Sequence, residues 1–116
     1  MTEQSPVQKL FMTIASMDSY IGREGRLAEY LIERLSDLNA EVMRDDSAAL
    51  TGSDTGNIIA RFPGYRSAAP TILLCSHMDT IGPTGDMVPE LRDGCIYSNG
   101  ETVLGADDKA GIAVIL

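Results

Sequence analysis

Apolar and polar residues at the start of the chain follow helical spacing: Val7, Leu10, Phe11 and Ile14 fall on one stripe. That period predicts an amphipathic helix. Ser5 and Pro6 suit its start, because the serine oxygen can accept free amides and a proline at the first helical position loses no needed donor. A second helix is predicted over 24–38, with Leu27, Tyr30, Leu31, Leu35 and Leu38 on its buried face and Asn39 as its stop. Residues 41–44 read as a short strand and the polar, turn-rich 45–56 as a loop. A further strand over 58–62 ends at Pro63-Gly64, and 67–70 connects to the next element.

That next element, 71–75, is nearly continuous apolar sequence without polar alternation, the pattern of a strand covered on both faces in a parallel or mixed sheet. It predicts a central strand. Ligands of such sheets gather at the carboxyl ends of the strands, where His77 and Asp79 lie. Beyond a loop over 81–85, Asp93-Gly94 predicts a hairpin turn between 88–92 and 95–98, and Asn99-Gly100 another turn. Residues 101–104 then lead to Asp107-Asp108, either of which can cap a helix beginning near Lys109, while Gly105 and Gly111 permit close backbone approach. The alternation of helix and strand is that of an α/β protein. No internal repeat, low-complexity tract or linker divides residues 1–116.

Composition narrows the partners. A chain of 116 residues with 44% hydrophobic positions can bury one core. Its 17 acidic against 9 basic residues give a formal charge of −8, which repels phosphate backbones and anionic lipid. Neither nucleic acid nor a membrane is an expected partner. The opening Met1-Thr2-Glu3-Gln4-Ser5 has no basic region leading into an apolar segment, and no stretch approaches the roughly 20 apolar residues that span a bilayer. A cytoplasmic protein is expected, with Cys75 and Cys95 as reduced thiols.

The candidate chemistry is concentrated in two segments. His77, the only histidine, sits two positions before Asp79. In a strand the two share a face, so the carboxylate can accept from one imidazole nitrogen while the other binds a cation. The plainer alternative is a histidine hydrogen-bonded to a neighbouring acid at a strand end. Asp107 can bridge two cations in a hydrolytic site, or simply cap the following helix. Lys109 reads as a surface or ion-pairing residue, Cys75 as a buried inert thiol, and Glu24, Asp45 and Asp46 as solvated charges. The methionines, Met78 included, read as packing.

Three stretches together resemble the zinc-dependent exopeptidase family that includes peptidase T, succinyl-diaminopimelate desuccinylase and aminoacylase, and most closely its peptidase T-like branch. They are Thr71-Ile72-Leu73-Leu74-Cys75-Ser76-His77-Met78-Asp79-Thr80, Leu104-Gly105-Ala106-Asp107-Asp108-Lys109-Ala110-Gly111, and the preceding Asn57-Ile58-Ile59-Ala60. The resemblance extends over essentially the whole chain. It implies a three-layer α/β sandwich around a mostly parallel central sheet, of which this chain holds the N-terminal portion of the catalytic domain. It implies that His77 ligates one zinc, that Asp107 bridges two, and that Asp79 is the catalytic-site acid orienting His77. Manganese or cobalt suits the same donors. The implied activity is removal of N-terminal residues from small peptides by a zinc-activated water.

The chain departs from the family pattern after Asp107. The Glu-Glu pair that supplies the family's general base and a ligand, a further acidic ligand and a second histidine do not follow, nor does the smaller dimerisation domain. A truncated fragment is therefore expected, inactive by itself because its donors and base are incomplete. An incomplete sheet exposes an edge, which invites a second copy and makes a homo-oligomer an expectation.

Other readings are a deacylase or carboxypeptidase of the same family and a non-enzymatic interaction module on the same fold. A glutamyl-aminopeptidase-type enzyme has similar motifs with a longer insertion between them. A magnesium-dependent phosphotransfer domain lacks its Gly-x-x-x-x-Gly-Lys-Ser/Thr cradle here.

Overall fold

The fold was obtained as a computed structural model, which describes residues 3–65 and 68–116. Met1, Thr2 and the Ser67 end of the expected connector lie outside the described residues. Helix α1 (Pro6–Ala15) starts as its sequence dictates. Ser5 Oγ accepts from the Gln8 amide at 3.3 Å, and Gln8 Oε1 accepts from the Ser5 amide at 2.8 Å, forming a reciprocal capping box. Leu10, Phe11, Ile14 and Ala15 are buried, whereas Val7 in the first turn is exposed, contrary to the expected stripe. Helix α2 (Gly25–Asp37) buries Leu27, Ala28 and Leu31. Leu38, expected on that face, is exposed beyond the last turn, and Asn39 takes the left-handed conformation that stops the helix.

Strand β1 (Glu41–Arg44) leads into α3 (Ala48–Thr51), a single turn in the stretch read as a loop, and then into β2 (Ile58–Arg61). The two strands pair antiparallel, from Glu41 opposite Arg61 to Arg44 opposite Ile58. Asp45 organises the excursion between them. Its Oδ1 accepts from the Ser47 amide and hydroxyl and from the Asn57 amide, and its Oδ2 accepts from Asn57 Nδ2. Gly56 packs so closely there that a Cβ would run into the Asp45 carbonyl. Asp45 is therefore a loop organiser and not a solvated charge. Glu24 departs from expectation in the same way, accepting from the Gly22 amide and the Ser53 hydroxyl.

Strands β3 (Glu90–Arg92) and β4 (Cys95–Tyr97) form the expected hairpin, with Asp93 and Gly94 both at positive φ as a tight turn requires. Helix α4 (Ala106–Ile115) closes the described fold. Asp107 and Asp108 have non-helical dihedrals, with a cis peptide between them. The Asp108 carboxylate accepts from the Gly111 amide at 3.1 Å, so the expected cap is formed by the second of the two acids. The core unites α1, α2 and α4 through Leu10, Phe11, Ile14, Leu27, Leu31 and Ile112, with Met78 packed at its margin.

The described residues thus form an α/β fragment with two small antiparallel sheets. The mostly parallel sheet is not among them. Segment 71–75 forms no strand, and Ile72, Leu73 and Leu74 are 80%, 86% and 63% exposed. Cys75 is likewise exposed. An apolar run becomes a strand only where a neighbour takes its amides and carbonyls, and neither sheet of the described residues includes this one. The parallel contact present is an isolated bridge between Tyr20 and Thr80.

The donors around Asp45 hold its carboxyl well below the usual carboxylate range, the Ser47 hydroxyl contributing most and Asn57 next. A folded-state pKa below the unfolded value of about 3.9 means stability that is present above that value and lost as pH falls below it. In urea unfolding at pH 6 and pH 3, the stability difference between the natural chain and Asp45→Asn is expected to be larger at pH 6 and to shrink at pH 3.

Candidate functional site

Segment 76–80 runs from the exposed apolar stretch past the start of α4, and hydrogen bonds hold the two together. Ser76 Oγ donates to Asp108 Oδ2 at 2.7 Å and lies 3.1 Å from the Asp108 carbonyl. Asp108, already capping α4, thus also docks the histidine-bearing segment. The next residue is His77. Its Nδ1 lies 3.0 Å from the Asp79 carbonyl and 3.1 Å from Asp79 Oδ1, and its Nε2 lies 3.0 Å from Asp107 Oδ1. The structure brings His77, Asp79 and Asp107 into one site.

Both Asp79 atoms facing Nδ1 can only accept, so Nδ1 carries the ring proton. A neutral ring then points the Nε2 lone pair at an Asp107 oxygen, an arrangement that needs a cation between them, either a proton or a metal. Burial, the largest single influence, opposes charge on His77. The Asp107 hydrogen bond and the Asp79 contacts together outweigh it and raise the imidazole pKa above its ordinary value. The Asp107 side chain is 96% exposed and the His77 ring about half so. An open cleft of about 630 Å³ adjoins them, with Tyr20, Ile21, Ile81 and Val103 among its walls.

Imidazole and carboxylate are zinc donors in kind, and a ring fixed at Nδ1 with Nε2 presented is the orientation that a metal-bound histidine needs. In donor chemistry the pair fits the metal. The donor set is partial, since among the described residues no group of three or more His, Cys, Asp or Glu is arranged to hold an ion.

Several residues that position the site escaped the sequence reading. Ser19 and Thr80 are buried: Ser19 Oγ donates to the Met78 carbonyl at 2.7 Å, and the Thr80 amide donates to the Ser19 carbonyl at 3.1 Å. Lys109, read as a surface residue, is fully buried, and its Nζ donates to the Met17 carbonyl. Burial, only partly offset by the Asp18 carboxylate, lowers its pKa to about 8. Asp18 Oδ1 in turn accepts from the Thr84 amide at 2.9 Å. None of these contacts is sequence-local. The one available signal for Lys109 was its place beside the small and apolar residues of Ala110-Gly111-Ile112-Ala113.

Over nearly its whole length the chain is similar to parts of known proteins. Aminopeptidase PepT of Bacillus cereus superposes on 97% of the chain with a TM-score of 0.93 and 39% sequence identity. The likeness is to a segment of a peptidase. The chain covers 30% of that protein, and 30% of a Staphylococcus aureus tripeptidase matched over 95% of the chain at a TM-score of 0.89 and 32% identity. The uncharacterised protein YqjE of Bacillus subtilis is 34% identical over 115 residues, which are 99% of this chain and 31% of that protein. No family model matches. The chain therefore spans less than a third of the length of each of these relatives. Among the described residues no helix is long and apolar enough to cross a membrane.

Gly105 tests how tightly the His77-bearing and Asp107-bearing segments are fitted. It has φ +78°, and a Cβ there would lie 2.9 Å from Thr80 Cγ2. Gly105→Ala is expected to cost about 1–3 kcal/mol in urea unfolding, combining left-handed strain with that contact.

Proposed function

We propose that the chain is a peptidase T-like segment of a metal-dependent aminopeptidase that removes N-terminal residues from small peptides. The observation that carries this reading is His77 itself, held at Nδ1 by Asp79 and facing Asp107 Oδ1 at 3.0 Å through Nε2. The peptidase names of the two structural neighbours, both above 30% identity, support it. In this proposal His77 and Asp107 are metal ligands, with Asp107 bridging two ions, and Asp79 fixes the tautomer and orientation of His77. Zinc is the proposed metal, with manganese or cobalt as chemically acceptable substitutes. When bound, zinc polarises a peptide carbonyl and acidifies a water. The proposal takes the segment to belong to a longer polypeptide, called the full-length protein below, in which the remaining donors and a general base lie in the part corresponding to the 70% of each structural neighbour that this chain does not cover. A cytoplasmic setting belongs to the same proposal.

Calorimetric titration with zinc tests the reading. The full-length protein is expected to bind about two ions, with binding lost or strongly weakened in His77→Ala. The 116-residue chain alone is expected to bind zinc only weakly and to hydrolyse no peptide. A folded full-length protein that binds no zinc would remove the peptidase reading and favour an interaction module.

The exposed run Ile72, Leu73 and Leu74 supports a second part of the proposal, that the isolated chain self-associates through this unpaired apolar segment. Light scattering is expected to show dimers or larger species. A concentration-independent monomer with sharp cooperative melting would refute it.

A further inference from the structure

We propose that segment 17–20 is a brace that sets the spacing of the two metal donors, with Ser19 and Lys109 as its positioning residues. The inference rests on the metal-site reading of His77 and Asp107. The donors come from segments with no strand pairing between them, and each is tied separately to the same short stretch of backbone. On one side, Ser19 Oγ donates to the Met78 carbonyl at 2.7 Å and the Ser19 carbonyl accepts from the Thr80 amide at 3.1 Å. These bonds grip the chain on either side of Asp79, with the Tyr20–Thr80 bridge continuing the same alignment. On the other side, Lys109 reaches from the first turn after Asp107 to the Met17 carbonyl.

Ser19 and Lys109 are both fully buried and Thr80 is 1% exposed, so these bonds are shielded from water and few alternative partners are within reach. Neither Ser19 nor Lys109 contacts His77 or Asp107 by a hydrogen bond. Their effect on the donors is through the backbone. A lysine suits the span because its apolar stem fills buried space while its ammonium supplies the donor at the far end.

Cobalt(II) binding by the full-length protein tests the brace, read from affinity and from the visible absorption band that reports coordination geometry. Ser19→Ala removes one oxygen, and Lys109→Met keeps much of the side-chain bulk while removing the donor. Each is expected to weaken cobalt binding by roughly 10-fold, the low end of what loss of a partner bonded directly to a ligand costs, and to shift the band. Ser5→Ala, which removes the α1 cap far along the chain from the site, is expected to leave both readouts unchanged while lowering stability in urea. If Ser19→Ala and Lys109→Met bind cobalt with natural affinity and an unshifted band while His77→Ala does not bind, the brace is overturned and the metal reading stands. If His77→Ala binds as the natural protein does, or the natural protein binds no cobalt, the metal reading falls and the brace with it. Should Lys109→Met fail to fold, Ser19→Ala decides the question alone.

Discussion

The packing of α1 against α4 is the constraint on which the rest of the described structure depends. One helix comes from the beginning of the chain and the other from its far end, and their contact buries Phe11, Ile14, Ile112 and Ala113 in one core with residues of α2. Burying a large aliphatic or aromatic side chain contributes about 1.5–3 kcal/mol, so a handful of such contacts outweighs any single polar interaction near the site. That burial fixes where α4 begins. The start of α4 carries Asp107 and Asp108, so the core decides where the carboxylate facing His77 can stand. The site is a consequence of distant apolar packing before it is a matter of local chemistry.

Core packing sets position only coarsely, and polar contacts refine it. Asp108 shows the division of labour: its side chain caps α4 through the Gly111 amide and receives the Ser76 hydroxyl, so the helix and the histidine-bearing segment share one carboxylate. Lys109 shows the cost of such refinement. An ammonium withdrawn from water has a pKa lowered to about 8, which reports a charged form disfavoured by its surroundings. A hydrophobic residue would avoid that penalty but leave the Met17 carbonyl without this donor. The arrangement exchanges some stability for a fixed geometry.

What could be read from sequence follows the range of the interactions. The capping box at Ser5 and Gln8, the stop at Asn39 and the Asp93-Gly94 turn are each set within a few residues, and each is present in the structure. His77, Asp79 and Asp107 were singled out from residue type and spacing, and the fold places their side chains together. The single turn of α3 was not, since a polar, turn-rich stretch hides four helical residues organised by one aspartate. Lys109 was misread because its partner is a backbone carbonyl at the other end of the chain, and a carbonyl has no signature in sequence. Segment 71–75 failed for a related reason. Its apolar composition records a demand for burial but does not name the neighbour that meets it.

That last failure bears on the site itself. In a closed α/β sheet, a residue just beyond a strand's carboxyl end is held by the ladder of hydrogen bonds behind it. Here the ladder behind His77 is not formed among the described residues, since 71–75 pairs with no strand. The histidine nevertheless stands within 3.0 Å of Asp107. Its placement comes from contacts of its neighbours on both sides: the Ser76 bond to Asp108, and the Ser19 bonds to Met78 and Thr80. These reach the core through α1 and α4, without any help from a sheet. The His77–Asp107 geometry is therefore specified by loop and helix ends, and pairing of 71–75 by another strand would stiffen an arrangement whose shape is already determined.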